Sequence, residues 1–374
     1  MGVNALTIHI PTNRPEEALK RITAAWSRIS KPAGLLGFAS GAMVKSLEEL
    51  AEGVRKSLSG LPALFAASEG VFTNEGELPE GQDGIACLLL GGSKLGLELE
   101  QNALESVRIS RSERHTAPRM LLIANQPGSS DGPLKTAEFV SGWFGAVTTG
   151  EAPLWGVQTD GRVRRCMSAL VEFPSLEPPL LVASPCCRLI SKPLRVSSVE
   201  GTTVFELDGV PALVALGQAS AKLVDRSWIV IGITDDPECV PSTNDGTPNL
   251  LFRPMRGIDP ARGAIVLTEN MAEGSLLAFA VRDDRASRRS LEEALRNMKP
   301  RLCGGAPRFG LYFDGLGRGR SLYGTANVDL GLVRQVLGDF PVLGMKSSFE
   351  LRGDVASPVK QSLTGQLALF RNPS

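Results

Sequence analysis

The chain of 374 residues predicts an α/β fold, with duplicated strand–helix–strand units forming layered mixed sheets flanked by helices. Three observations predict it. Short apolar strands alternate with segments whose apolar residues recur at the helical period. The order of elements from Phe309 to Phe370 returns between Gly34 and Leu90. Glycine, proline and glutamate punctuate both stretches at corresponding points, as a repeated unit would show.

Leu6–Ile10 reads as the first strand. It is followed by a helix with Leu19, Ile22, Trp26 and Ile29 on one face. Thr12 or Asn13 is placed to cap that helix, Pro15 fits its first turn, and Glu16 and Glu17 oppose its dipole. Leu35–Phe38 is a strand, Ser40-Gly41 a loop, and Leu47, Leu50, Val54 and Leu58 mark a helix opened by the capping box Ser46-Leu-Glu-Glu49. Ala63–Ala66 and Gly84–Leu90 complete the unit, with Glu69 in a loop between them. Leu95, Leu97 and Leu99 alternate as in a strand.

A partial middle copy follows: strand Met120–Ala124, a helix over 134–144, and strand Leu154–Val157. Asn125–Pro133 is its loop. Residues 166–216 are rich in strands and predict a seam between halves, set near Glu206, with Asp208-Gly-Val-Pro211 starting a helix. Trp228–Ile233 is a strand, Pro237–Asn249 a loop, and two strands pair around Asp259-Pro260. Leu276–Val281 and a helix carrying Leu291, Leu295 and Met298 match the first strand and helix. Phe309–Phe313, the loop Asp314–Arg320, a helix with Val328, Leu332, Val333, Val336 and Leu337, and strands at Val342 and Gly365 close the chain. The domains expected are therefore 1–205 and 206–374.

Forty basic residues balance forty acidic ones, which argues against a general nucleic-acid binder. Arg162–Arg165 and Arg285–Arg289 read as solvated faces. No run approaches about 18 apolar residues, and the N-terminus has no basic region before an apolar core, so a cytoplasmic protein with no membrane partner is expected. Cys87, Cys166, Cys186, Cys187, Cys239 and Cys303 show no C-x-x-C spacing, and His9 and His115 lie far apart. No metal site or cofactor is expected.

Several stretches together resemble the FIST family. Ser184-Pro-Cys-Cys-Arg188 is similar to its Cys-Arg-Pro-Ile-Gly region, and Glu206–Leu213 to its Leu-Asp-Gly-x-Pro-Ala helix entry. Met255–Asp259 with Gly263–Ile265 resembles its Arg…Asp…Gly-x-Ile turn. Gly317-Arg-Gly319 resembles its Arg-Gly loop, and Gly344 with Phe349-Glu-Leu351 its Gly-Glu-Ile ending. The resemblance implies FIST N-like and FIST C-like domains over 1–205 and 206–374. It also implies a sensory protein that binds small ligands, amino acids or related carboxylates among them, and signals to a partner protein. Asp314 and Gly315 stand near where the family has a cysteine, and Phe349 replaces its glycine.

Under that reading the ligand-binding candidates are Arg318, Glu350, Arg256, Arg188, Asp314 and Ser40. Arg318 could bind a carboxylate as a bidentate pair, with glycines on each side letting the backbone approach. Glu350 could take an ammonium group, and Arg256 and Arg188 the anionic end. Each arginine is equally read as a structural ion pair. An adaptor with a vestigial pocket stays open, as does an enzyme using Cys187 beside Arg188. Two histidines make a triad a weak reading, so no catalytic residue is assigned. Gly315–Gly319 lacks the ending of a P-loop.

Overall fold

The computed structural model describes residues 4–78, 80–101, 117–125, 143–223, 228–234, 250–353 and 358–371. The expected loops at 126–133 and 237–249, most of the expected helix over 134–144, His115 and Cys239 lie outside the described residues. By contact the chain forms two compact units. Residues 1–184, 291–360 and 364–374 make the first, and residues 185–290 with 361–363 the second. These are units of packing. The sequence halves 1–205 and 206–374 are a reading of repetition.

The first unit begins with β1 (Ala5–Ile10), α1 (Pro15–Trp26), β2 (Pro32–Ser40), α2 (Leu47–Ser57) and β3 (Ala63–Ala67). A short hairpin, β4 (Val71–Thr73) and β5 (Gly76–Leu78), precedes β6 (Gly84–Gly91) and β7 (Gly96–Glu100). Next come β8 (Arg119–Ile123), β9 (Trp143–Thr148), β10 (Leu154–Val157), β11 (Val163–Cys166), β12 (Ser168–Glu172) and β13 (Leu180–Pro185).

The second unit holds β14 (Cys187–Leu189), β15 (Leu194–Glu200), β16 (Thr203–Leu207), β17 (Val210–Pro211), α3 (Ala212–Ser220), β18 (Ile229–Thr234), β19 (Leu251–Asp259), β20 (Ala264–Leu267) and β21 (Leu276–Arg282). Within α4 (Asp284–Met298) the chain returns to the first unit. It ends with β22 (Phe309–Gly315), α5 (Arg320–Tyr323), α6 (Val328–Leu337), β23 (Val342–Gly353), β24 (Pro358–Gln361) and β25 (Thr364–Phe370).

The first unit stacks two mixed sheets. One runs β1-β6-β2-β3-β10-β11, and the other β13-β25-β22-β23-β9-β8-β12-β7, with β24 and the β4–β5 hairpin attached to β23. Leu36, Phe38, Leu64 and Leu88 of the first sheet share one core with Phe144, Leu311, Phe313, Met345 and Phe370 of the second. On the outer face of the first sheet, α1 and α2 pack Ile22, Leu50 and Val54 against Leu35, Phe65 and Leu89. On the outer face of the second, Leu291 and Leu295 of α4 and Val333 and Val336 of α6 cover Tyr312, Leu367 and Leu369. Strands outnumber helices, and the helical cover is thin. Since β2, β3 and β6 are buried on both faces, they read as continuous apolar runs rather than alternating ones.

Strand order exposes a threefold repeat. The sets β1-β6-β2-β3, β7-β12-β8-β9 and β13-β25-β22-β23 follow one scheme. In each, a parallel pair (β2–β3, β8–β9, β22–β23) is flanked by a strand antiparallel to its first member. This corrects two sequence expectations. The second strand of the middle copy is Trp143–Thr148, whereas Leu154–Val157 pairs with β3 in the other sheet. The counterpart of β1 in the last copy is β13, because Leu276–Arg282 belongs to the second unit.

That second unit is a closed antiparallel barrel of six strands. The order β21-β15-β16-β20-β19-β18 returns to β21, removing the open edges. Ala212, Ala215 and Leu216 of α3 join Val204, Ile231, Leu267 and Phe279 in its core. Of the zone read as a seam, residues 166–184 belong to the first unit and residues 185–216 begin the second.

Helix starts also differ from expectation. Arg14 occupies the N-cap of α1 without a side-chain bond. The Thr12 hydroxyl instead accepts from the Arg14 amide and donates to Glu17. Ser46 makes no cap bond, since a 3₁₀ turn over Gly41–Ser46 leads into α2. The tetrapeptide of Ser46–Glu49 recurs at Ser290-Leu-Glu-Glu293, but it falls inside α4, whose start is capped by the Asp283 carboxylate accepting from the Ala286 amide at 2.8 Å.

Candidate functional site

The ends of β22 and β23 carry a buried cluster of charges. Parallel register sets Asp314 opposite Lys346 on the face toward α6, and the two form an ion pair. The corresponding register pair is Ala39–Ala67 on the helix-facing side of the first copy and Ile123–Val147 in the middle one. Only the last copy replaces an apolar pair with opposite charges, so repetition carries the scaffold and not the site.

Gly317 and Gly319 turn the following loop with positive φ. A Cβ on Gly319 would lie 2.4 Å from the Lys346 Nζ, so glycine lets the loop cross over that ammonium. Between them Arg318 points inward and is 0% exposed. Its Nε lies 2.9 Å from Asp314 and donates to Asp329 at 3.2 Å, Nη2 donates to both oxygens of Asp329 at 3.0 Å, and Nη1 donates to the Ser184 carbonyl at 2.8 Å. Nη2 also donates to the Tyr323 hydroxyl, which donates in turn to Asp329 at 2.6 Å. Two acids thus face two cations in a planar, bidentate arrangement.

Burial pushes the Asp314 carboxyl up, against the pull of Lys346 and Arg318. Burial would lower Lys346, but Asp314, Glu77 and Asp329 together more than offset it and the ammonium is held above its ordinary range. Burial would likewise lower Arg318, but Asp329, Tyr312, Tyr323 and Asp314 together raise it. A carboxylate clamped between two cations is best described as ionised.

Beside Lys346 lies a cavity of about 190 Å³, lined by Gly70, Phe72, Glu77, Leu78, Glu80, Arg320, Ala326 and Lys346. The β4–β5 hairpin forms one wall. Phe72 crosses Gly344, where any Cβ would meet its ring at 1.8 Å, and sets its edge on Tyr312. The Glu77 amide donates to Asn327 Oδ1 at 2.7 Å, tying the hairpin to the start of α6. Burial pushes the Glu77 carboxyl above its ordinary range, with Lys346 opposing. Arg320 and Glu80 are exposed at the mouth.

The candidates from sequence are distributed as follows. Arg318, Asp314 and Glu350 come together at this end of the last repeat. Glu350 is 0% exposed, accepts from the Ser347 hydroxyl at 2.7 Å, and is pushed well up by burial toward a neutral acid. Ser40 is buried and donates to the Gln82 carbonyl at 2.7 Å. Arg188 pairs with Asp283 at 2.9 Å and Arg256 is exposed on β19, both in the second unit. Lys346, Glu77, Glu80 and Arg320 were not singled out from sequence. Lys346 was findable from the parallel pairing of two already recognised strands, but Glu77 was not, because the residue that fixes it, Asn327, is 250 positions away.

The double-sheet scaffold thus carries a cavity of mixed polar and apolar lining at its strand ends. Residues 214–351 match the FIST C domain family, a stretch that includes Asp314, Arg318, Asp329, Lys346 and Glu350. The chain is 31% identical over 196 residues to the uncharacterized protein Rv0628c of Mycobacterium tuberculosis. It is 28% identical over 196 residues to the uncharacterized protein Mb0898c of Mycobacterium bovis. Each alignment covers 50% of this chain and 50% of the relative, so the chain spans about half the length of the curated relatives it matches. No helix among the described residues is long and apolar enough to cross a membrane.

Proposed function

We propose that this protein is a non-catalytic, FIST-type sensory protein that binds a small polar metabolite, amino-acid-like or a related carboxylate, in the cavity beside Lys346, and passes that state to a signalling partner. The observation that carries this reading is the cavity itself. It combines both charge signs with the apolar walls Phe72 and Leu78 on a floor locked by the Asp314–Lys346 pair. Arg318 serves by holding Asp314 and Asp329, and Arg320 receives the ligand's anionic end. The FIST C match over 214–351 supports a FIST C-like half, 206–374, and the FIST N-like half, 1–205, rests on what the resemblance implies.

The test is a thermal-shift screen of amino acids and small carboxylates on wild type and Arg320→Ala. Ligand at about 100 times its dissociation constant stabilises a two-state protein by roughly 2.7 kcal/mol. A hit weakened by Arg320→Ala supports the reading, and no hit refutes it. A second reading, an adaptor with a vestigial pocket, is favoured by one observation. Each guanidinium nitrogen of Arg318 donates inside the protein, and the side chain is 0% exposed. A negative screen together with a specific protein partner would establish it.

A further inference from the structure

The charges around the cavity do not cancel in the way that those beneath it do. Asp314 and Asp329 are matched by Lys346 and Arg318, which bond to them directly. What remains on the walls is Glu77 and Glu80 against Arg320 alone. Glu77 is half-buried at the edge of the β4–β5 hairpin and held in place through its own backbone by Asn327. Lys346 from β23, Asp314 from β22 and Asp329 from α6 act on it electrostatically, and Glu80 and Arg320 line the same cavity. A half-buried carboxyl with an excess of acid around it holds its proton more tightly than an exposed one, and an arriving cation displaces that proton.

We propose that Glu77 and Glu80 recognise a primary ammonium group on the ligand, and that Glu77 releases a proton as the ammonium enters. This rests on the reading of the cavity as a ligand site and adds the group recognised and its pH linkage. Burial already holds the Glu77 carboxyl above its ordinary range. Its occupied state is the ionised one, so binding strengthens as pH rises from below the ordinary glutamate range and levels off once free Glu77 is ionised. In the acidic limit affinity changes by about tenfold per pH unit, one proton being released per ligand.

The experiment is calorimetric titration of the full chain with propylammonium, propionate and L-alanine between pH 4.5 and 8, in buffers of different ionisation enthalpy. Propylammonium and L-alanine are expected to bind, to release protons at the acidic end and to weaken there. Propionate is expected to bind at least about tenfold more weakly. Glu77→Gln keeps the shape of the wall and should abolish both proton release and pH dependence, with about a tenfold loss at pH 7.5. Glu80→Gln should weaken binding and keep the pH dependence. Propionate binding as tightly as propylammonium, or Glu77→Gln leaving affinity and pH profile unchanged, would overturn the proposal. If the broader screen finds a ligand whose binding ignores Glu77, this inference fails and the cavity reading survives. If no compound binds, both fail.

Discussion

At the scale of single residues, Arg318 and Glu350 show two opposite fates of a buried ionisable group. Arg318 holds two carboxylates in a site without solvent. Removing it as Arg318→Ala leaves Asp314 and Asp329 with uncompensated charge, and should destabilise the protein by about 3–5 kcal/mol in a denaturant titration. Arg318→Lys should recover little, since an ammonium cannot reproduce the bidentate fork. Glu350 behaves in the opposite sense. Its folded-state carboxyl lies above its unfolded value because of burial. The stability this contributes is full below the unfolded value and is lost as pH rises toward the folded one. Glu350→Gln, which preserves an acceptor for the Ser347 hydroxyl, should therefore match or exceed wild type in Tm at pH 7.5. That relative gain should shrink toward pH 4.

At the scale of elements, the β4–β5 hairpin decides the site. It belongs to the first repeat by sequence but pairs with β23 of the last, placing Phe72 over Gly344 and Glu77 beside Lys346. Asn74 fixes it further, accepting from the Thr7 hydroxyl and, through its carbonyl, from Arg334. Phe72→Ala should cost about 3–5 kcal/mol in chemical denaturation, the range for an emptied aromatic site. It should also abolish ligand stabilisation by enlarging the cavity on its apolar side. The converse change, Gly344→Ala, forces a methyl into the ring and should destabilise as well, through overpacking. The hairpin was not legible as a functional element, because in sequence it is only a short polar interval between Ala67 and Gly84.

For the whole molecule, two compact units with separate cores predict departure from two-state unfolding. Scanning calorimetry should give a van't Hoff enthalpy smaller than the calorimetric one. A ligand in the cavity should raise the transition of the unit that contains β22 and β23. A ligand that raised only the other transition would move the site to the barrel.

The sequence by itself determined the mixed sheets, most strand positions and the likeness of Phe309–Phe370 to Gly34–Leu90, because apolar periodicity and turn residues are local signals, but it overstated the helical cover. It also pointed to the end of β22 as the place of interest, through the glycines around Arg318. Only the tertiary structure decided that the repeat is threefold in strand order, that Leu276–Arg282 closes a barrel, and that Arg318 is a buried ion partner. Those facts depend on which strands pair across long separations, and two-sided burial erases the alternation that would have revealed it. The charge of the cavity is likewise set by register, since Asp314 meets Lys346 only because β22 and β23 are parallel.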